Sequence, residues 1–223
     1  MKMMMQTAMT QESAYHATRF RFDPRRKIVW EEIVRYFQSI TPLGDTVLDL
    51  GCGYGEFINS VPASAQRFAL DLEAAQQQYL DADVEFAAEN VLKVDELYDP
   101  ASFSFIFSSN LLEHLERAEV GELLKKLRNL LKPGGHLGIM MPNYRLKPHL
   151  YFDDYTHKTA ISDVALCDWM SSVGLEVVRS EPGFLPYSMK QRLPVNRFLV
   201  RLWLASPFRP NAGQMLVIAR RPG

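Results

Sequence analysis

Three glycines and two aspartates mark where this chain could hold a small charged ligand. Val47-Leu48-Asp49-Leu50-Gly51-Cys52-Gly53-Tyr54-Gly55-Glu56-Phe57 runs from an apolar stretch into Gly-x-Gly-x-Gly. Such a run reads as a strand entering a turn whose glycines accept positive φ and let main chain approach a ligand closely. A dinucleotide-binding turn would carry its third glycine one residue later. Glu56 stands there, and a carboxylate aimed at a pyrophosphate fits poorly. Asp71 follows at a strand end, about twenty residues after the first glycine, where a carboxylate accepts hydrogen bonds from both hydroxyls of a ribose. Further on, Asn110 and Leu111 fall at the carboxyl end of another strand, the edge where open α/β sheets bind ligands. The segment from Pro142 to Thr159 is long, aromatic and rich in titratable groups, as functional loops are.

The elements that must position these residues alternate in type. Asp23-Pro24 signals a helix start, with Asp23 as N-cap, and Val29, Trp30, Ile33, Val34 and Phe37 share one face of that helix. Strands are predicted at Thr46–Leu50, Arg67–Asp71, Val84–Ala87, Phe103–Ser108, His136–Met141, Leu175–Val178 and Gln214–Ala219. A short helix is predicted from Glu56. A longer one carries Val120, Leu123, Leu124, Leu127, Leu130 and Leu131 as an apolar stripe and stops at Lys132-Pro133-Gly134-Gly135. Ser162 to Val173 reads as another, with Gly174 as its stop. The alternation argues for a doubly wound parallel sheet.

Composition sets the bounds. The chain has 223 residues, 47% apolar and 23% charged, with a net charge of −1, enough for one domain with a full core. The near-zero charge argues against nucleic acid as a general partner. It hides an asymmetry: no Asp or Glu follows Glu181, whereas Lys190, Arg192, Arg197, Arg201, Arg209, Arg220 and Arg221 do. Cys52 and Cys167 show neither disulfide-framework nor metal-ligand spacing, so a reducing, cytoplasmic setting is expected. Residues 1–22 read as a flexible leader, with Tyr15-His16 to Arg26 a candidate lid, and residues 23–223 as a single domain with an insertion over 184–211.

Motif by motif, the chain resembles class I S-adenosylmethionine-dependent methyltransferases. The carriers are Val47 to Gly55, Asp71, Phe105-Ile106-Phe107-Ser108-Ser109-Asn110-Leu111-Leu112-Glu113-His114-Leu115 and Leu131-Lys132-Pro133-Gly134-Gly135-His136-Leu137. The resemblance implies a Rossmann-like α/β fold, mostly parallel with an antiparallel last strand, and S-adenosyl-L-methionine as cofactor. It implies that Asp49 lies near the methionine end, that Gly51, Cys52, Gly53 and Gly55 line the cofactor, and that Asp71 meets the ribose. Leu72 would cover one face of the adenine, and Glu89, Asn90 or Val91 would meet its amino group. Asn110 and Leu111 would complete the wall. The run Asn/Asp-Pro-Pro-aromatic, typical of methylators of nucleic-acid bases, is missing at this point.

Over its length the chain also resembles bacterial methyltransferases associated with surface-polysaccharide or glycolipid assembly. Carriers are Arg19 to Arg26, Tyr151 to Thr159, Phe184 to Ser188 and Arg192-Leu193-Pro194. A sugar or other small polar hydroxyl is therefore the expected acceptor. A hydroxyl gains from a base, and His157 is the first candidate, oriented by Asp153 or Asp154, with His114 the second. Alternatively, the aspartates cap turns, His157 faces solvent and His114 is held by local hydrogen bonds. No metal is assigned, a divalent ion on Asp153, Asp154 and His157 being the lesser reading. The 184–211 insertion mixes aromatics with arginines. It suits peripheral contact with an anionic membrane or glycolipid, or a packing or homodimer helix whose arginines reach into water. Competing functions are N- or C-methylation of a metabolite and a non-catalytic cofactor-binding scaffold.

Overall fold

The computed structural model describes residues 22–187 and 196–223. Tyr15, His16 and Arg19 to Arg21 of the expected leader and lid lie outside that range, as do Ser188, Lys190 and Arg192 to Pro194 of the insertion.

The strands are β1 (Thr46–Leu50), β2 (Gln66–Asp71), β3 (Val84–Ala88), β4 (Phe103–Ser109), β5 (Leu131–Pro142), β6 (Glu176–Pro186) and β7 (Ala212–Arg220). They form one sheet in the order β3-β2-β1-β4-β5-β7-β6. The first five pair in parallel, and β7 inserts antiparallel between β5 and β6. Alternation with period two sends side chains to opposite faces. Phe103 and Ile106 of β4 and Met215, Val217 and Ala219 of β7 join one core. Phe105, Phe107, Leu216 and Ile218 join the other. Both faces are covered, which is why β1 and β4 are nearly continuous apolar runs.

The helices are α1 (Arg26–Ile40), α2 (Val94–Leu97), α3 (Arg117–Leu130), α4 (Pro148–Tyr151), α5 (Asp163–Ser172) and α6 (Arg197–Ala205). α3 buries Val120, Leu123, Leu124, Leu127 and Leu130 of the stripe expected from the sequence, whose last member, Leu131, opens β5 instead, and the helix begins with a reciprocal Glu116–Glu119 capping box. α5 starts at Ser162, whose hydroxyl accepts the N–H of Ala165 at 3.2 Å. Between α1 and α6, the buried Glu32 accepts from Arg201 at 2.7 and 3.0 Å, and Arg197 pairs with both Glu31 and Glu32. These two arginines are thus committed within the fold, while Phe198, Leu199 and Leu202 of the same helix are exposed. No helix among the described residues is long and apolar enough to cross a membrane.

Several expected boundaries are corrected. Asp23 is not the N-cap of α1. Its carboxylate takes the Arg25 N–H and guanidinium, closing a turn, and the helix begins at Arg26. No helix starts at Glu56. Only a 3₁₀ turn forms at Ile58–Ser60, because the chain turns extended at Val61, ahead of Pro62. β5 starts at Leu131 rather than His136, and its register against β4 slips between Phe103 and Phe105 to absorb the Pro-Gly-Gly run. β6 reaches Pro186 through further register shifts, well past Val178.

Candidate active site

β1 and β4 are neighbours whose following connections leave in opposite directions across the sheet, and a crevice opens beyond their carboxyl ends. A cavity of about 600 Å³ lies there. Of the cofactor-binding residues expected from the sequence, Asp49, Gly51, Cys52, Gly53, Asp71, Leu72, Asn90, Val91, Asn110 and Leu111 line it. Gly55 and Glu89 do not. Gly55 acts by shape: its φ is +66° and an added Cβ would meet Leu80 at 2.2 Å. Glu89 turns outward, accepting the Asn90 N–H at 2.8 Å and pairing with Lys93 one helical turn on. The Asn90 side chain caps the next turn by accepting from Leu92 at 2.9 Å.

The turn after β1 is held from two sides. Gly51 and Cys52 both donate to the Leu70 carbonyl, at 2.8 and 3.1 Å. Gly53 donates to Asp71 Oδ2 at 2.8 Å, while Oδ1 of the same carboxylate accepts from Glu73 at 3.0 Å. Asn110 closes the opposite wall with φ +52°, a left-handed conformation unusual outside glycine, and its N–H donates to the Met140 carbonyl at 2.9 Å. Such strain persists where surrounding structure enforces it and is common at functional sites.

Three carboxylates, Asp49, Glu56 and Asp71, converge on the cavity. Burial first, then the charges of Asp71 and Glu56, hold the Asp49 carboxyl well above its usual range, against a main-chain hydrogen bond from Ile58. Burial also raises Glu56, opposed by Arg26 3.0 Å away. An electronegative chamber of this kind favours a cation and disfavours a pyrophosphate. Arg26 and Trp30 reach it from α1, and Trp30 packs edge-on to Phe107 with ring centroids 5.9 Å apart. Helical periodicity assigned Trp30 only to a packing face; its place in the wall follows from how α1 lies against the sheet. Phe22 stacks on Tyr79 and meets Tyr54 edge-on, so the chain enters the described fold beside the glycine turn.

Beyond Leu111 the wall is made by His114, Leu115, Glu119, Tyr155, Thr156 and Lys158. His114 is thus a cavity residue, whereas Asp154 and His157 are not. Asp154 accepts from the Thr156 N–H at 3.1 Å and hydroxyl at 2.7 Å, and that hydroxyl lies 3.0 Å from His114 Nδ1. His157 sits behind, its ring 5.0 Å from that of His114 and 4.8 Å from that of Tyr151. Glu113 is fully buried, and neither carboxylate oxygen has a hydrogen-bond partner among the described residues. Burial pushes its carboxyl up to about 8 and the His114 imidazole down to about 4. The Glu113 carbonyl accepts the N–H groups of Lys158 and Thr159, at 2.7 and 3.2 Å, stitching the aromatic loop to the end of β4.

Comparison with known proteins agrees with this geometry. A family model described as a methyltransferase domain matches residues 20–180. A ubiquinone biosynthesis O-methyltransferase from Caulobacter vibrioides is 31% identical over 47% of this chain and 43% of its own length. A phosphoethanolamine N-methyltransferase from Triticum aestivum is 32% identical over 42% of the chain and 20% of its own length. The chain therefore spans less than half the length of these two curated relatives. Among solved structures, an S-adenosylmethionine-dependent methyltransferase from Archaeoglobus fulgidus superposes with a TM-score of 0.69 at 19% identity, covering 95% of this chain and all of that one. One from Mesorhizobium loti gives 0.62 at 18% identity, covering 86% and 98%. The acidic, glycine-walled cavity fits the sulfonium cation of S-adenosylmethionine, the cofactor of this group, and the chain belongs to the methyltransferase domain family.

Proposed function

We propose that the chain transfers a methyl group from S-adenosylmethionine to a hydroxyl of a small polar acceptor, a sugar being one member of that class. The observation that carries this reading is the juxtaposition, in one cavity, of a carboxylate-lined glycine turn and a second wall bearing His114, Tyr155, Thr156 and Lys158. When bound, the cofactor supplies an electrophilic methyl on a good leaving group, so the protein needs no nucleophile of its own. Its residues bind, align and exclude water, which accounts for most of the acceleration available to an in-line displacement.

In this reading Asp71 accepts from the ribose hydroxyls, already oriented by Gly53 and Glu73. Asp49 and Glu56 face the cationic end, Arg26 takes the cofactor carboxylate, and Leu72, Asn90 and Val91 frame the adenine. The acceptor enters against Tyr155, Thr156 and Lys158, and its proton leaves toward His114, whose ring Thr156 and Asp154 hold in place. His157 acts through His114 rather than on the acceptor. Methylation of an amine is the second reading, favoured by the Triticum relative and by the same acidic chamber. Calorimetry with S-adenosylhomocysteine, followed by turnover with hydroxyl and amine acceptors, tests both. His114→Ala is expected to lower turnover while leaving cofactor affinity intact; no binding of donor or product by folded protein would defeat the proposal.

A further inference from the structure

We propose that Glu113, His114 and His157 form a binding site for a divalent transition-metal cation of the zinc or manganese type. One oxygen or nitrogen donor from each lies within 4.8 Å of the others. This set differs from Asp153, Asp154 and His157, the donors singled out in the sequence. It joins the residue pair that follows β4 to the aromatic loop, and only the fold brings the two together.

The independent observation is Glu113. A fully buried carboxylate whose two oxygens lack a hydrogen-bond partner among the described residues is costly, and such a group is rescued by a proton or by a cation. Two imidazoles beside it make the cation the better fit. One carboxylate and two imidazoles are a donor set of zinc and of first-row transition ions, whereas magnesium and calcium favour oxygens alone. Metal–nitrogen bonds of about 2.0 Å place tetrahedral donors roughly 3.3 Å apart, so modest side-chain rotation closes the site. Outer support is present. A ligating imidazole ordinarily bonds through its other nitrogen to an oxygen, and Thr156, itself bonded to Asp154, lies 3.0 Å from His114 Nδ1. The main chain is pinned as well, by the bonds from Lys158 and Thr159 to the Glu113 carbonyl.

His114 also lines the cavity, which gives a cation a route in and sets it beside the acceptor wall. Its consequence for catalysis rests on the methyl-transfer reading: with a cation bound, an acceptor oxygen that coordinates would release its proton to water, and His114 takes that proton only in the metal-free protein. The site itself does not depend on that reading.

Titration of the chelator-treated full chain with Co²⁺, followed by its visible d–d absorption and by calorimetry, tests the site. One equivalent is expected to bind with the bands of a low-coordinate nitrogen–oxygen site. Glu113→Gln and His157→Ala, each folded and still binding S-adenosylhomocysteine, are expected to weaken Co²⁺ binding at least ~10-fold. Glu113→Gln carries no charge into the interior and is expected to fold. Equal, weak Co²⁺ isotherms for all three proteins would overturn the proposal and leave a proton on Glu113. Failure of the chelator-treated wild type to bind S-adenosylhomocysteine, with Co²⁺ uptake intact, would instead count against the cofactor reading alone.

Discussion

The N–H of Gly53 donates to Oδ2 of Asp71 at 2.8 Å, linking the turn after β1 to the end of β2 across 18 positions of sequence. The carboxylate that faces the cavity is therefore aimed before any ligand arrives. Asp71→Ala removes the proposed cofactor contact and frees the turn together. A hydrogen bond to a charged group contributes about 1.5–3 kcal/mol, so affinity for S-adenosylhomocysteine should fall roughly 10- to 100-fold by calorimetry. Unchanged affinity would remove Asp71 from the site.

Gly55 does not line the cavity, yet its substitution should be felt. In Gly55→Ala the methyl group meets Leu80 at 2.2 Å, and φ stays at +66°. Left-handed backbone costs roughly 1–2 kcal/mol in a residue with Cβ, to which the clash adds. Thermal unfolding should show a lowered midpoint and calorimetry a weaker cofactor complex. Adding Leu80→Ala should relieve the clash but not the backbone term, leaving part of the loss in place.

In the proposed reading Thr156 acts by holding His114, which separates its effects from those of Asp71. Thr156→Val keeps the shape and deletes the hydroxyl between His114 Nδ1 and Asp154. Turnover should fall on the order of 10-fold, as for loss of an orienting partner, with the cofactor dissociation constant unmoved. A change confined to KM for the cofactor would reassign the residue.

The ion cluster joining α1 to α6 should make stability fall in acid. The hydrogen bond from Arg201, chief among several causes, holds the Glu32 carboxyl below its usual 4.5. A depressed carboxyl gives its full stabilisation above the unfolded value, and loses it as pH drops through that value toward the folded one. Urea unfolding at pH 7 and near pH 4 should differ, and Glu32→Gln should shrink the difference. Because the arginines are half exposed, we expect Glu32→Gln to cost about 2 kcal/mol at neutral pH, less than breaking a fully buried pair.

The residues of the glycine-walled half of the cavity were legible in the sequence because their signals are local. Glycines within five residues of one another, an aspartate at the next strand end and an apolar strand before Asn110 each carry their meaning without the rest of the chain. Glu89 misled, because nothing local distinguishes a carboxylate turned toward the cavity from one pairing with a lysine four residues on. The glycine turn likewise gave no warning that the chain would manage only a 3₁₀ turn before Pro62. The acceptor half was less readable for a physical reason. His157 was identified as a titratable loop residue, but its neighbours are set by two main-chain bonds reaching from 158 and 159 back to 113. Periodicity and propensity do not report such pairings, and Glu113 entered the sequence reading only as part of the run that carries the family resemblance.

Those two bonds also constrain how the protein could change its preferences. Residues 143–157 form a bight whose far end is moored at the Glu113 carbonyl, while its near end continues from β5. Exchanging the intervening side chains alters what the enclosure admits, and both moorings stay where they are. Extra length between the two ends would be taken up by the bight itself, so a graft meant to redirect selectivity must keep the bonds of Lys158 and Thr159 to the Glu113 carbonyl.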